Sequence, residues 1–290
     1  MNVATAIADA VKVLSSEATG PPRMAADTLL MFVLCCDRAY LHAHPERELS
    51  ASEESAFAAA VRQRASGRPL QYITGKQEFW GLEFTVTPDV LIPRPETEHL
   101  VEEAVVLAGH HGSGAPRICD VGTGSGCIAI AVAYELRRRK IPAEIHATDI
   151  STAALEVARQ NASRLGFADI HFHQADLLDK FSPQEARFDL VLSNPPYVGL
   201  REQDKVQREV REHEPQVAVF AGEDGLAIYK RLVPEAHRLL QPGGWLLLEI
   251  GYSIEAEVRA LLPSKDWQSV RVVPDLQGIP RVVMAQKENQ

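Results

Sequence analysis

The chain has few cysteines. Only Cys35, Cys36, Cys119 and Cys127 occur in 290 residues, and none has the paired spacing of a zinc site. Cys119 falls in an apolar strand pattern and Cys127 opens a helical one, so both read as small core residues, and no metal is expected. No apolar run reaches the roughly 18 residues of a membrane helix. The N-terminus has no charged-then-apolar leader pattern. A reducing cytoplasm is the expected location, with no membrane partner. A basic arm is also lacking. Residues 1–75 hold seven Lys/Arg against eight Asp/Glu, and the net charge is −9, which argues against a general electrostatic grip on nucleic acid. The one dense positive cluster, Arg137-Arg138-Arg139-Lys140, is expected to end a helix, where cations meet the negative end of the dipole. There is no internal repeat and no low-complexity segment. What remains is an ordinary globular composition, 46% hydrophobic and 24% charged, with length for one large domain or two smaller ones.

The first 75 residues read as helices. Pro21-Pro22 can start one that runs through Met24 to Leu34. Ser50 and Glu53 form a capping-box pattern for another, which stops near Gly67. Residues 77–92 then turn to β-formers, Phe79, Trp80, Phe84, Val86, Val90, Leu91 and Ile92, broken by Gly81 and Pro88-Asp89, which suggests a linking hairpin. From 116 onward strands and helices alternate. Strands are expected at 117–121, 144–149, 169–173, 188–193, 244–250, 270–273 and 281–284, and helices at 126–140, 152–165, 225–240 and 253–262. That order predicts an α/β fold with a mostly parallel seven-stranded sheet.

Two motifs carry chemistry. Asp120-Val121-Gly122-Thr123-Gly124-Ser125-Gly126 is a strand-to-helix turn whose glycines let backbone and ligand come close. Its fit to a dinucleotide fingerprint is weak by itself. Asp149, ending the next strand, can accept hydrogen bonds from both ribose hydroxyls of any nucleoside. The two together indicate an adenosine-containing cofactor more firmly than they say which. Asp120 is positioned to meet a cofactor ammonium group, Asp176 to reach an adenine amino group, and Leu177 to pack on the ring.

The second motif is Asn194-Pro195-Pro196-Tyr197, after the apolar run Phe188–Ser193. The Asn194 side-chain carbonyl and the Pro195 backbone carbonyl supply two acceptors for the two N–H bonds of a planar NH2 group. The prolines fix the backbone and remove competing N–H donors, and Tyr197 offers an aromatic wall. Such a grip suits methyl transfer to an amide or amino nitrogen. No general base is evident, so proton loss through water is expected; His213 is the one histidine considered for that task.

On these residues the chain resembles the bacterial protein-(glutamine-N5) methyltransferases that modify peptide-chain release factors. The resemblance extends over Gly67, Pro69, Gln71-Tyr72-Ile73 and Gly75; Phe79–Leu82; Leu91-Ile92-Pro93-Arg94-Pro95-Glu96-Thr97-Glu98; Asp120–Gly126; Asp149; Asn194–Tyr197; Glu212–Pro215; Gly222–Leu226; and Leu246–Gly251. Pro93 to Glu98 is the most discriminating piece. The resemblance implies a Rossmann-like class I methyltransferase sheet, with a helical substrate-recognition domain at 1–75, a β-hairpin linker at 76–95 and a methyltransferase domain at 96–290. It implies S-adenosyl-L-methionine held by Asp120, Gly122, Thr123, Gly124, Ser125, Gly126, Asp149, Asp176, Leu177 and Asn194, with Asn194, Pro195, Pro196 and Tyr197 forming the catalytic pocket. Class I release factors, through the glutamine of a Gly-Gly-Gln loop, would be the substrate, and the protein a monomer. The sequence departs from the family at Leu177, a position often aromatic in relatives, and at Gly278-Ile279-Pro280-Arg281, where an acidic residue usually precedes the Arg. Three other readings use the same motifs: an adenine-N6 methyltransferase, a nicotinamide-dependent oxidoreductase, and a non-catalytic ribosome-associated binder.

Overall fold

A computed structural model describes residues 1–15, 20–110, 112, 114–184 and 187–289. Met1–Lys76 and Val206–His213 form one compact unit; Gln77–Lys205 and Glu214–Gln290 form another.

The first unit is helical. In the helix Val3–Ser15, the residues Val3, Ala6, Ile7, Ala10 and Leu14 recur at helical spacing and are all buried. The helix Pro22–Leu34 starts with proline in its first turn and ends at Cys35 in a left-handed conformation. Ser50 caps the helix Ala51–Ala65 as its sequence predicts. Glu53 N–H donates to Ser50 Oγ (3.3 Å), and Ser50 N–H donates to Glu53 Oε2 (2.8 Å). Gly67, at φ 98°, follows that helix. Phe57, Ala60 and Val61 pack with Leu29, Leu30 and the first helix in a shared core. Arg64 is buried and donates to Glu209 Oε2 at 2.6 Å, which ties the short helix Arg208–His213 into this unit. That helix has no apolar stripe, so no periodicity announces it.

The second unit opens with a hairpin of β1 (Lys76–Phe79) and β2 (Leu82–Thr85). Both turn residues have positive φ, Trp80 at 56° and Gly81 at 70°, the combination that a tight type I′ hairpin requires. Phe79 and Phe84 bury the hairpin's inner face, ring edge to ring face at 6.2 Å. A single 3-10 turn, Pro95–Thr97, leads into the helix Glu98–Gly109.

The remaining strands are β3 (Arg117–Val121), β4 (Glu144–Asp149), β5 (His171–Gln174), β6 (Phe188–Ser193), β7 (Leu240–Glu249), β8 (Trp267–Pro274) and β9 (Pro280–Lys287). They form the expected seven-stranded sheet in the order β5-β4-β3-β6-β7-β9-β8. β3 to β7 pair in parallel, while β9 runs antiparallel to both β7 and β8. Helices Cys127–Arg138, Thr152–Leu165 and Ala227–Leu239 bury apolar stripes in two cores that share the strands between them. Boundaries move by a few residues from the sequence pattern. β7 starts at Leu240 rather than 244, because a register irregularity between Phe188 and Leu190 lets Pro242-Gly243-Gly244 pass through the strand. The basic cluster ends its helix as anticipated. Arg138 and Arg139 both pair with buried Glu135 (2.7 and 2.9 Å) and hold its carboxyl down to about 2.

Candidate active site

Strand register assembles the site. Val121 of β3 pairs with Ser193 of β6, so the glycine turn and the Asn194 tetrapeptide leave adjacent strands at paired residues. Thr148 pairs with Val121 on one side, and Leu248 pairs with Ser193 on the other. Asp149 therefore stands beside Gly122, and Glu249 beside Asn194, along one carboxyl edge of the sheet. Neighbouring strands lie roughly 5 Å apart, so these four positions span a short row. Ser193 Oγ donates to Val121 O at 2.7 Å and locks the two exits together.

The turn is built from backbone donors. Gly122 N–H and Thr123 N–H both donate to Thr148 O at 2.9 Å, and Gly124 N–H donates to Asp149 Oδ2 at 2.9 Å. All three glycines have positive φ, for two different reasons. A Cβ on Gly122 or Gly124 would point into open space, whereas one on Gly126 would lie 3.0 Å from Ile130 Cδ1 and 3.2 Å from Ala158 Cβ. The first two leave room for a ligand; the third lets two helices approach closely.

Asp120 lies beneath this turn with no exposed surface. Its Oδ2 accepts from Thr123 Oγ1 (2.6 Å) and Ala129 N–H (3.3 Å). Its Oδ1 and the Ser125 Oγ are buried without partners among the described residues. Burial pushes the Asp120 carboxyl up from 3.8 to about 7 against the pull of those two hydrogen bonds. An acid raised in this way stabilises the fold while it is protonated. That contribution is whole below the unfolded value and is lost as pH climbs toward about 7. Asp120→Asn is thus expected to melt closer to wild type, or above it, at about pH 8 than at about pH 5. Equal differences in Tm at the two pH values would contradict a buried ionisation.

Asn161, which the sequence pattern does not single out, staples the turn to the hairpin. It is fully buried, donates from Nδ2 to Ser125 O (2.9 Å) and Thr85 O (3.0 Å), and accepts from Thr85 N–H (2.8 Å). Asp149 accepts a further bond from Ser151 N–H at 2.9 Å, and burial raises its pKa. Asp176 follows β5 as expected, but its carboxylate pairs with Arg231 at 2.8 Å. Leu177, at φ 58°, packs against the core cluster that also receives Tyr197.

In the tetrapeptide, Asn194 is half-buried and Pro195 buried. Asn194 Nδ2 donates to Thr97 Oγ1 at 3.1 Å. Tyr197 packs against Gly251, where a Cβ would lie 3.0 Å from its ring. Burial, then the nearby Glu249 carboxyl, pushes its phenol up to about 12, so it stays neutral. The chain beyond it is clamped by Val198 N–H to Val219 O (3.1 Å) and Ala221 N–H to Val198 O (2.9 Å). A Cβ on Gly225 would collide with Tyr197 O, which explains that glycine. The segment Arg94–Glu98 reaches the same region. Arg94 donates to buried Glu214 at 2.5 Å, and Glu214 also takes Ile92 N–H at 3.2 Å. Arg281 pairs with Asp275, six residues upstream, at 2.8 Å. His213 instead packs beside Gly67 in the helical unit. Sequence reasoning does not single out Thr97 and Glu249, although both fall in segments that carry the resemblance; the structure sets them beside Asn194. The available signal was an acid closing the otherwise apolar run Leu246-Leu247-Leu248.

The donor set suits a nucleoside-bearing methyl donor: an open glycine cradle, a carboxylate beside it, and unpartnered oxygens below. Among the described residues no group of three or more His, Cys, Asp and Glu could hold a metal ion, and no helix is long and apolar enough to cross a membrane.

A family model described as the PrmC N-terminal domain matches residues 5–75, and one described as a methyltransferase domain matches residues 113–271. The chain is 50% identical to the release factor glutamine methyltransferase of Koribacter versatilis, over 99% of each chain. It is 39% identical to that of Moorella thermoacetica over the full length of both, and 38% identical to that of Coxiella burnetii over 97% of this chain and 99% of the other. Among solved structures, the hMettl16 catalytic domain bound to a MAT2A 3′UTR hairpin aligns with a TM-score of 0.56 at 18% identity, covering 82% of this chain and 81% of that one. A likeness at that identity concerns the fold alone.

Proposed function

The chain belongs to the release factor glutamine methyltransferase family, and from that premise we propose that it methylates the side-chain N5 of the glutamine in the Gly-Gly-Gln motif of class I peptide-chain release factors, with S-adenosyl-L-methionine as donor. The observation that carries this reading is the pairing of Val121 with Ser193, which brings the glycine turn and the Asn194-Pro195-Pro196-Tyr197 bend together on adjacent strands.

When bound, the donor supplies a methyl group on a cationic sulfur, which keeps the C–S electron pair as the N–C bond forms, and the amide gives up a proton to water. The chain's own residues hold and orient. Gly122 and Gly124 leave the donor its space, with Thr123, Ser125 and Gly126 shaping the turn around it. Asp149 faces the ribose hydroxyls. The unpartnered oxygen of Asp120 favours a cationic group above it. Asp176 and Leu177 border the adenine end, where Asp176 must share its carboxylate with Arg231. Asn194 Oδ1 and the Pro195 carbonyl accept the two amide N–H bonds. That grip turns the nitrogen lone pair toward the methyl group and favours the positive charge that develops there. Pro196 stiffens the bend, and Tyr197 walls it.

A net charge of −9 supports a protein substrate over nucleic acid, and the reaction is assigned to the cytoplasm. Incubation with donor and a class I release factor, followed by peptide mass spectrometry, is expected to find one added methyl on the Gly-Gly-Gln peptide. An unmodified peptide, or label entering nucleic acid instead, would refute the assignment.

A further inference from the structure

An asparagine amide has two ends of similar shape and opposite hydrogen-bonding sense. Only with its carbonyl toward the substrate can Asn194 accept from an NH2 group; reversed, it would present donors to donors. Something must fix the direction. Asn194 Nδ2 donates to Thr97 Oγ1 at 3.1 Å, so the NH2 end is held inward. Thr97 is 2% exposed and has one hydroxyl proton to give. Glu249 is also 2% exposed and follows Leu248, the partner of Ser193, and the Thr97 hydroxyl pulls its carboxyl down against the larger rise that burial causes. Thr97 arrives from the 3-10 turn Pro95–Thr97, which Arg94 pins through its pair with Glu214. Tyr229 Oη fixes the backbone of the same residue, donating to Glu249 O at 2.7 Å.

We propose that Thr97 and Glu249 are positioning residues of the methyl-transfer site: a buried acceptor directs the Thr97 proton inward, and the oxygen of Thr97 then takes the Asn194 NH2 group, leaving Asn194 Oδ1 to face the substrate amide. The direction comes from the end of the chain. In its ionised form, which the Thr97 hydroxyl favours against the larger opposing effect of burial, the Glu249 carboxyl can only accept. A hydroxyl that donates to it has its lone pairs free for a donor on its other side, and the Asn194 NH2 group is that donor. With an amide at 249, an NH2 could donate to Thr97 instead, Thr97 could donate to Asn194 Oδ1, and the carboxamide would turn round. Glu249 keeps one oxygen, Oε2, without a partner among the described residues, so none of them competes for its acceptor capacity from that side. The inference deepens the reading given above and rests on it.

The test compares Thr97→Val, Thr97→Ser and Glu249→Gln with wild type in the full-length protein. The readouts are kcat and KM for the release factor, donor affinity by calorimetry, and Tm. Thr97→Val is expected to lose about 30-fold in kcat with donor affinity within about twofold, as for a misplaced but intact acceptor. Thr97→Ser, which restores the hydroxyl, is expected to return to within about threefold of wild type. Glu249→Gln is expected to lose about tenfold in kcat without a fall in Tm, since a neutral amide of the same shape replaces an acid that burial already drives toward its neutral form. Wild-type kcat in Thr97→Val or in Glu249→Gln would overturn the proposal. So would losses in Thr97→Ser equal to those in Thr97→Val, or activity that falls only in step with Tm. Should Thr97→Val fail to fold, Glu249→Gln decides alone. If wild type itself leaves the release factor unmethylated, the functional reading fails first and takes the relay with it.

Discussion

Replacing Asn194 with Ala is expected to lower kcat by about 10³-fold while changing donor affinity by less than about threefold. The side chain stands one residue beyond Ser193, beside the glycine turn, and its inner end is already anchored on Thr97. Truncation removes the acceptor that would hold one amide N–H, yet leaves the turn untouched. The turn's own bonds run to Thr148 O and Asp149, not to Asn194. An amide nitrogen is a weak nucleophile, because its lone pair is shared with the carbonyl. An acceptor that strengthens as positive charge grows on nitrogen acts more on the transition state than on the bound ground state. The loss should therefore fall on kcat. Single-turnover methylation and calorimetric titration of the donor give the two quantities separately. Losses of similar size in both would mean that Asn194 serves the donor rather than the amide.

The largest expected effect on stability belongs to Asn161. Substitution by Leu keeps the approximate volume but strands the Thr85 N–H, the Thr85 C=O and the Ser125 C=O, all of which Asn161 now satisfies. Each buried polar group left unpaired costs about 1–3 kcal/mol, partly offset by the added apolar contact, so a net loss of about 3 kcal/mol is expected. In a unit of this size that corresponds to a Tm lower by roughly 6–12 °C. Because Ser125 lies in the glycine turn, donor affinity is expected to fall as well, by about tenfold. Chemical denaturation and donor titration of Asn161→Leu check both. A variant as stable as wild type would show that the three groups find other partners, and the staple would have no energetic role.

Much of this site could be read directly from the chain, because some requirements are local. Gly122 and Gly124 need positive φ within a short strand-to-helix turn. The two prolines of the tetrapeptide restrict their own backbone. Ser50 and Glu53 satisfy each other within one helical turn. Apolar periodicity gave the parallel strands and the main helices to within a few residues. Other requirements are not local. Asn161 reads as a polar residue in a helix; its partners lie 76 and 36 residues away. Thr97 meets Asn194 across 97 residues of sequence. The acid that pairs with Arg281 sits at Asp275, reached only because the turn between β8 and β9 brings it back. Asp176, which the sequence offers to an adenine amino group, is paired with Arg231 in the fold.

The amino-acid order by itself determined the alternation of strands and helices, the two chemical motifs and their family, since backbone restriction and periodic burial are written within a few residues of each other. Tertiary structure alone decided that Val121 and Ser193 would share a register, that Asp120 and Glu249 would be raised to about 7, and which way the Asn194 amide would face. Those properties depend on which groups are removed from water together and which partner each finds there, and folding sets that choice between residues far apart in the chain.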